Sequence, residues 1–376
     1  MKRIWSVFRR IMIIFLSLLA ILVISLILYL QHPQFGKAPS GDRLERLAAS
    51  PHFRDGVFEN LSYTPPLTEG YTYLEVMYMF FFKKSPDNVP KGTIPSVRTD
   101  LKTLPEDEDI LVWFGHSSYF LRVKGVSILV DPVFSGNASP VPGSTRAFKG
   151  TDIYDAEDFP DIDYLLITHD HYDHLDYKTI GKLKDKVKKV ICGLGVGAHL
   201  EYWGYPAGMV EEHDWNETVV LEGQMRLHTL PARHFSGRLF KRNNTLWMSY
   251  LLETGSQKIY LGGDSGYDRH FAEIGKRFGP IDLAILENGQ YNVAWHAIHC
   301  LPEETVQAAL DLGARRLMPV HSSKFSLSPH GWKEPLTEVS RYGKDAGIPL
   351  VTPVIGQKVR LDDDSQVFEP WWERVN

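Results

Sequence analysis
The stretch IDYLLI, residues 162–167, reads as a continuous apolar strand, and it runs without a break into THDHYDHLD, residues 168–176. An apolar strand of this kind is buried on both faces, so the fold must cover a sheet front and back. The nine residues after it are the opposite of a core: three histidines and three aspartates stand among them. Turning a chain needs no such density of imidazole and charge. Neutral imidazole and carboxylate are the ordinary ligands of zinc, and also of iron and manganese.

The rest of the chain from about residue 108 alternates strands and helices. ILVWFGHSSYFLRV and VSILVDPVF are β-rich runs separated by Lys124-Gly125, and read as a hairpin. KVICGL, MRLHTLPARH, MSYLLET, KIYLGGD, IDLAILENG and RRLMPVH read as further strands. KTIGKLKDKVKKVI begins as an amphipathic helix, HFAEIGKRFG is a helix closed by Gly279-Pro280, and PEETVQAALDLG starts on a proline and ends on a glycine. Meanders early and βα units later predict an α/β fold, two sheets covered by helices.

Within that scheme the chemical residues obey a rule. His169 follows YLLIT, His234 follows LHTLPAR, Asp264 follows KIYLGG and His321 follows RRLMPV. Strand ends of one sheet lie side by side at its rim, so side chains about 150 residues apart can converge, each on a rigid support. A tight loop aims His169 and His171 at one cation, and Asp173 with His174 at a second one about 3.5–4 Å away. Asp264 bridges the two, His234 completes the first site and His321 the second. A water shared by two such cations ionises near neutral pH and attacks an electrophile. Asp173 and Asp264 are therefore the candidate catalytic carboxylates. His116, His199, His213, His228, His270 and His296 read as core or surface histidines.

The N-terminus carries a separate signal. MKRIWSVFRR holds four cations, and residues 11–30 then run for twenty positions without a charge. At ~1.5 Å per residue such a helix spans the hydrocarbon core of a bilayer. The basic flank precedes the span, which predicts a cytoplasmic N-terminus and an extracytoplasmic domain, most simply in a bacterium. The run is longer than a signal-peptide core, and no small-x-small cleavage pattern comes after it. The expected organisation is a basic segment at 1–10, an anchor at 11–30, an extension at 31–105 packing on the main domain, and a hydrolase domain at 106–376. In the extension, YLEVMYMFFFKK is read as a packed segment, with a membrane-facing surface as the sharper alternative. The net charge of −5 and the absence of a basic stripe argue against nucleic acid as a partner. The two cysteines, Cys192 and Cys300, form no disulfide framework and read as buried thiols.

THDHYDHLD, PARHF, LGGDSGY and MPVHSSKF together resemble the metallo-β-lactamase superfamily. FGHSSYFLRVKGVSILVDPVFSGNASP, GDSGYDRHFAEIGKRFGPIDLAILENGQY and HCLPEETVQAALDLGARRLMPVHSSKFSL are similar to the phospholipase D family that hydrolyses N-acylphosphatidylethanolamine. The resemblance covers roughly residues 90–370. It implies an αββα sandwich with two zinc ions, His169, His171 and His234 on one, Asp173, His174 and His321 on the other, and Asp264 between them. It also implies that Tyr177 and His299 contact the substrate. ENGQYN at 287–292 departs from that family's more apolar strand end. The expected function is a membrane-anchored binuclear zinc phosphodiesterase acting on phospholipid; the alternative is a metal-dependent hydrolase of a soluble ester, lactone or cyclic phosphodiester.

Overall fold
In a computed structural model, which describes residues 2–376, the chain forms two packed sheets with helices on both outer faces. Three helices precede the sheets: α1 (Lys2–Leu30), α2 (Asp42–Ala48) and α3 (Tyr73–Phe82), with a small hairpin of β1 (Phe53–Arg54) and β2 (Val57–Phe58) between the last two. The first sheet takes β3 (Ile110–Trp113), β4 (Tyr119–Val123), β5 (Val126–Val130), β6 (Ile162–Ile167), β7 (Val187–Gly193) and β8 (Val210–His213). The second takes β9 (Thr218–Val220), β10 (Arg226–Leu230), β11 (Ser249–Glu253), β12 (Lys258–Leu261), β13 (Leu283–Glu287) and β14 (Leu317–Val320). The last strand, β15 (Lys358–Arg360), returns to the first sheet beside β3, giving seven strands against six. Helices α4 (Tyr177–Leu183) and α5 (Gly197–Tyr202) follow strands of the first sheet, and α6 (His270–Phe278), α7 (Pro302–Asp311) and α8 (Glu334–Ala346) follow those of the second.

Period-two alternation explains the layering. In β5, Ile128 and Val130 point into the core between the sheets while Leu129 joins the cluster under α4. In β13, Leu283 and Ile285 point inward and Ala284 and Leu286 pack under the second sheet's helices. Both faces are apolar because both are covered, and each fully buried Leu or Ile contributes roughly 1.5–3 kcal/mol. The run ILVWFGHSSYFLRV is not one strand but two, because Gly115 and His116 both take positive φ and turn the chain.

The N-terminal region divides sharply. Phe35, Leu47, Phe58 and Ile94 are buried. Helix α1 starts at Lys2, so the basic segment is helical and continuous with the apolar run, and no residue of α1 is buried. It is long and apolar enough to cross a membrane. Helix α3 does not pack as the sequence suggested. It has no buried residue, and Leu74, Phe81 and Phe82 are 78%, 71% and 74% exposed. Its stability is local: Thr72 and Glu75 form a reciprocal capping box.

Candidate metal centre
The loop after β6 is a tight turn. The backbone amides of His174 and Leu175 both donate to the His171 carbonyl, at 3.1 and 2.8 Å. Asp176 then caps α4 by accepting from the Lys178 amide. The turn leaves His169, His171, Asp173 and His174 facing one buried volume. Into it come His234 after β10, Asp264 after β12 and His321 after β14. The strand-end rule holds in an altered form: the ends belong to two sheets, the loop on the first and the other three on the second.

Two groups of side chains lie on either side of Asp264. His169 Nε2 and His234 Nε2 are 2.9 and 3.3 Å from His171 Nδ1. Asp173, His174 and His321 form the other group, joined by His116. Asp264 Oδ2 is 3.2 Å from His174 Nε2, 3.7 Å from His234 Nε2 and 3.8 Å from His169 Nε2, and its Oδ1 is 3.1 Å from His321 Nδ1. The seven residues expected as ligands therefore come together, with Asp264 in the bridging position.

A surrounding layer fixes the rings. Asp131 Oδ2 contacts His174 Nδ1 at 2.8 Å and accepts from the Thr168 hydroxyl at 2.6 Å. His234 Nδ1 meets the Ile298 carbonyl at 2.9 Å, and His321 Nδ1 meets the Ser117 hydroxyl at 2.9 Å. Orienting partners of this kind accompany metal-binding histidines. Asp131, His116 and His321 all have positive φ, at 42°, 53° and 64°. Such backbone costs of order 1–3 kcal/mol per residue and clusters at functional sites. Gly266, in the GDSGY run, is required by close approach: a Cβ there would sit 2.1 Å from the Ala297 carbonyl oxygen.

The electrostatics fit divalent cations. Burial pushes His169, His234 and His321 well below the ordinary imidazole pKa, and His171 down to about 4, so all four rings are neutral at pH 7, the form that can coordinate a cation. Burial opposes charge on His174 too, but Asp264 and Asp173 outweigh it and hold that ring protonated. A proton trapped between two buried carboxylates marks a place where positive charge is needed. His171 Nε2, His174 Nε2 and Asp264 Oδ1 are buried with no hydrogen-bond partner. Unpaired donors and acceptors in a dry site cost free energy unless a ligand takes them.

His116 is a correction to the sequence reading. Its Nε2 is 2.9 Å from Asp173 Oδ2, inside the cluster. Like Asp131 after β5, it sits just past a strand end in the structure; the rule finds Asp131, which follows VSILV, but not His116, whose strand end lies inside a run that reads as continuous. His199 is also more than a core histidine: its Nε2 meets Asp170 at 3.1 Å and its Nδ1 accepts from the Lys37 amide at 2.9 Å. His213, His228 and His270 pair with Glu217, Glu253 and Ser265 outside the cluster. Of the two expected substrate contacts, His299 is at the centre, with its ring 5.0 and 5.3 Å from those of His234 and His321, and Glu287 Oε2 2.6 Å from its Nδ1. Tyr177 is not: it faces Trp203 and His32, at ring distances of 5.3 and 5.8 Å, on the side where α1 ends. Cys192 and Cys300 are buried and unpaired.

Comparison with known proteins agrees with this geometry. The beta-lactamase superfamily domain matches residues 127–322, more than half of the chain, including every clustered residue except His116. An uncharacterised Mycobacterium tuberculosis protein is 36% identical over 86% of this chain and 87% of its own length. N-acyl-phosphatidylethanolamine-hydrolyzing phospholipase D 1 of Caenorhabditis elegans is 32% identical over 56% of this chain and 62% of its own. The structure of Igni18, a metallo hydrolase of Ignicoccus hospitalis, superposes with a TM-score of 0.51 over 67% of this chain and 97% of that one, at 19% identity, a likeness of fold alone. By its domain match and its paired sheets, the chain belongs to the metallo-β-lactamase superfamily of metal-dependent hydrolases.

Proposed function
We propose that the protein is a membrane-anchored binuclear zinc phosphodiesterase of phospholipase D type, acting on N-acylphosphatidylethanolamine or a related phospholipid. The observation that carries this reading is the pair of ligand groups around Asp264: His169, His171 and His234 for one cation, Asp173, His174 and His321 for the other. Likeness to the nematode phospholipase D supports the reaction type. Two bound zinc ions would supply Lewis acidity and a water ionised near neutral pH; iron or manganese accepts the same donors.

The chain's own groups supply the rest. Asp173, held by His116, is the carboxylate that orients the attacking water. His299 is the group that meets a phosphate oxygen. Burial raises the Glu287 carboxyl well above its usual pKa, so one proton resides in the Glu287–His299 pair. With Nδ1 engaged by Glu287, His299 Nε2 carries an N–H and donates outward. The domain boundaries follow the same reading, with α1 as the anchor, its basic end cytoplasmic, and the hydrolase domain outside. The bare apolar face of α3, ending in Lys83 and Lys84, supports a substrate drawn from a bilayer.

The test is metal per chain and phosphatidic acid released from N-acylphosphatidylethanolamine in mixed micelles, on one sample. Two zinc ions with chelator-sensitive release is the expected result. Two metals without release would redirect the substrate to soluble esters, lactones or cyclic phosphodiesters. A metal-free, active enzyme would overturn the two-metal reading.

A further inference from the structure
A cavity of about 440 Å³ opens where α1 meets the domain. Its wall includes Gln34, just past the anchor, and Pro140, Arg146, Tyr172, Tyr177 and Lys178 from the domain. The Tyr29 hydroxyl donates to the Pro140 carbonyl, and Gln34 Nε2 donates to the same oxygen at 3.1 Å. Tyr29 is the penultimate residue of α1. A tyrosine at the end of a membrane span sits at headgroup level, and this one touches the cavity wall. The cavity thus lies at the depth of lipid phosphates; this placement rests on α1 spanning the bilayer.

The charges lining the cavity are not balanced. Its two carboxylates are already occupied. Asp176 accepts from the Ser135 amide, the Lys178 amide and the Thr179 hydroxyl. Asp152 faces Lys324 at 3.7 Å. Arg238, buried beneath, donates to the carbonyls of Asp170, Leu175 and Gln34 and meets no carboxylate. Among the described residues, Arg146 and Lys178 have no carboxylate within 4.0 Å and donate no side-chain hydrogen bond. They are two free cations on the wall of one cavity. Guanidinium and ammonium together are the usual recognition pair for phosphate oxygens.

We infer that this cavity, lined by none of the seven expected metal ligands, binds a phosphate-bearing anion, a lipid headgroup or free phosphate, between Arg146 and Lys178. The depth of the cavity favours the headgroup. Dihexanoyl phosphatidic acid is a monoester that a phosphodiesterase does not cleave, so binding is read without turnover; it is also the product of the proposed reaction, so any binding at the metal centre is the part that the double variant retains. Calorimetric titration of the full-length protein in neutral detergent should show saturable binding. In the double variant Arg146→Ser/Lys178→Ser it should weaken by about tenfold or more, with metal content unchanged. Binding of the lipid about tenfold tighter than inorganic phosphate assigns the headgroup as the source; equal affinity assigns free phosphate. Equal binding in wild type and double variant, or none in either, overturns the inference.

Discussion

The carboxylate of Asp264 stands 3.2 Å from His174 Nε2, and the two residues come from opposite sheets. Asp264 follows β12 of the second sheet and His174 lies in the loop after β6 of the first. The metal centre is therefore built across the main interface of the fold. Cations bound there would join the two halves of the molecule, and their binding free energy would add to folding stability.

Replacing Asp264 with Asn removes a carboxylate that reaches members of both ligand sets. Metal content should fall below one per chain and hydrolysis by more than about 100-fold. The melting temperature should drop to that of chelator-treated wild type. Metal analysis and a thermal scan of both proteins decide the matter; a variant retaining full metal content would remove Asp264 from the bridge.

His116 touches Asp173 without belonging to either expected ligand set. His116→Gln should keep the fold and lower metal affinity or activity by roughly 10–100-fold. Titration with zinc in a competing chelator measures the first, and an initial rate at saturating zinc the second. Loss of less than about twofold in both would make His116 a packing residue only.

Exposed Leu74, Phe81 and Phe82 can all be changed to Ser without opening a core, because none of the three is covered by the domain. The triple variant should retain its metal and its rate on a small soluble phosphodiester. On phospholipid vesicles it should lose about tenfold or more, since each side chain withdraws apolar area from the interface. Equal loss on both substrates would mean that α3 supports the fold instead.

Much of this was legible in the sequence, and the gaps have physical causes. Residues at strand ends announced the centre, since a polar group after an apolar strand has only the sheet's rim to occupy. Which sheet each strand joins was hidden, because pairing depends on the whole chain and not on local pattern. His116 was hidden by a turn: FGHSS continues the β-type composition of its neighbours, and only the positive φ at Gly115 and His116 breaks the strand. α3 misled because apolar composition predicts burial, while only Val76, Met79 and Phe80 are half-covered and the rest of the helix is exposed. Tyr177 sits next to the metal-binding loop in sequence, yet α4 begins there and turns its ring toward Trp203.

Stability should fall in mild acid through His270. Burial lowers its pKa from 6.5 to about 4. Between those values the unfolded chain takes up a proton that the folded one refuses. The stabilisation is complete above pH 6.5 and is lost as pH falls toward 4, a change of roughly 3 kcal/mol. Denaturant unfolding at pH 7.5 and 4.5 should show a loss about 2–3 kcal/mol smaller in His270→Phe than in wild type. Parallel losses in the two proteins would assign the acid sensitivity elsewhere.

The passage from α1 to the domain has no slack. The helix ends at Leu30, and Pro33–Phe35 already form a 3-10 turn whose Pro33 carbonyl accepts from the Trp203 indole. The Gln34 carbonyl then receives the Arg238 guanidinium, which also holds the Asp170 and Leu175 carbonyls within the HDHYDH loop and at its end. A flexible leash would let the domain swivel and meet its substrate in any attitude. This joint is a bracket. Under the proposed anchoring, the direction of α1 sets the tilt of the HDHYDH loop with it, so the orientational entropy of docking is spent once, during folding, and not at each encounter.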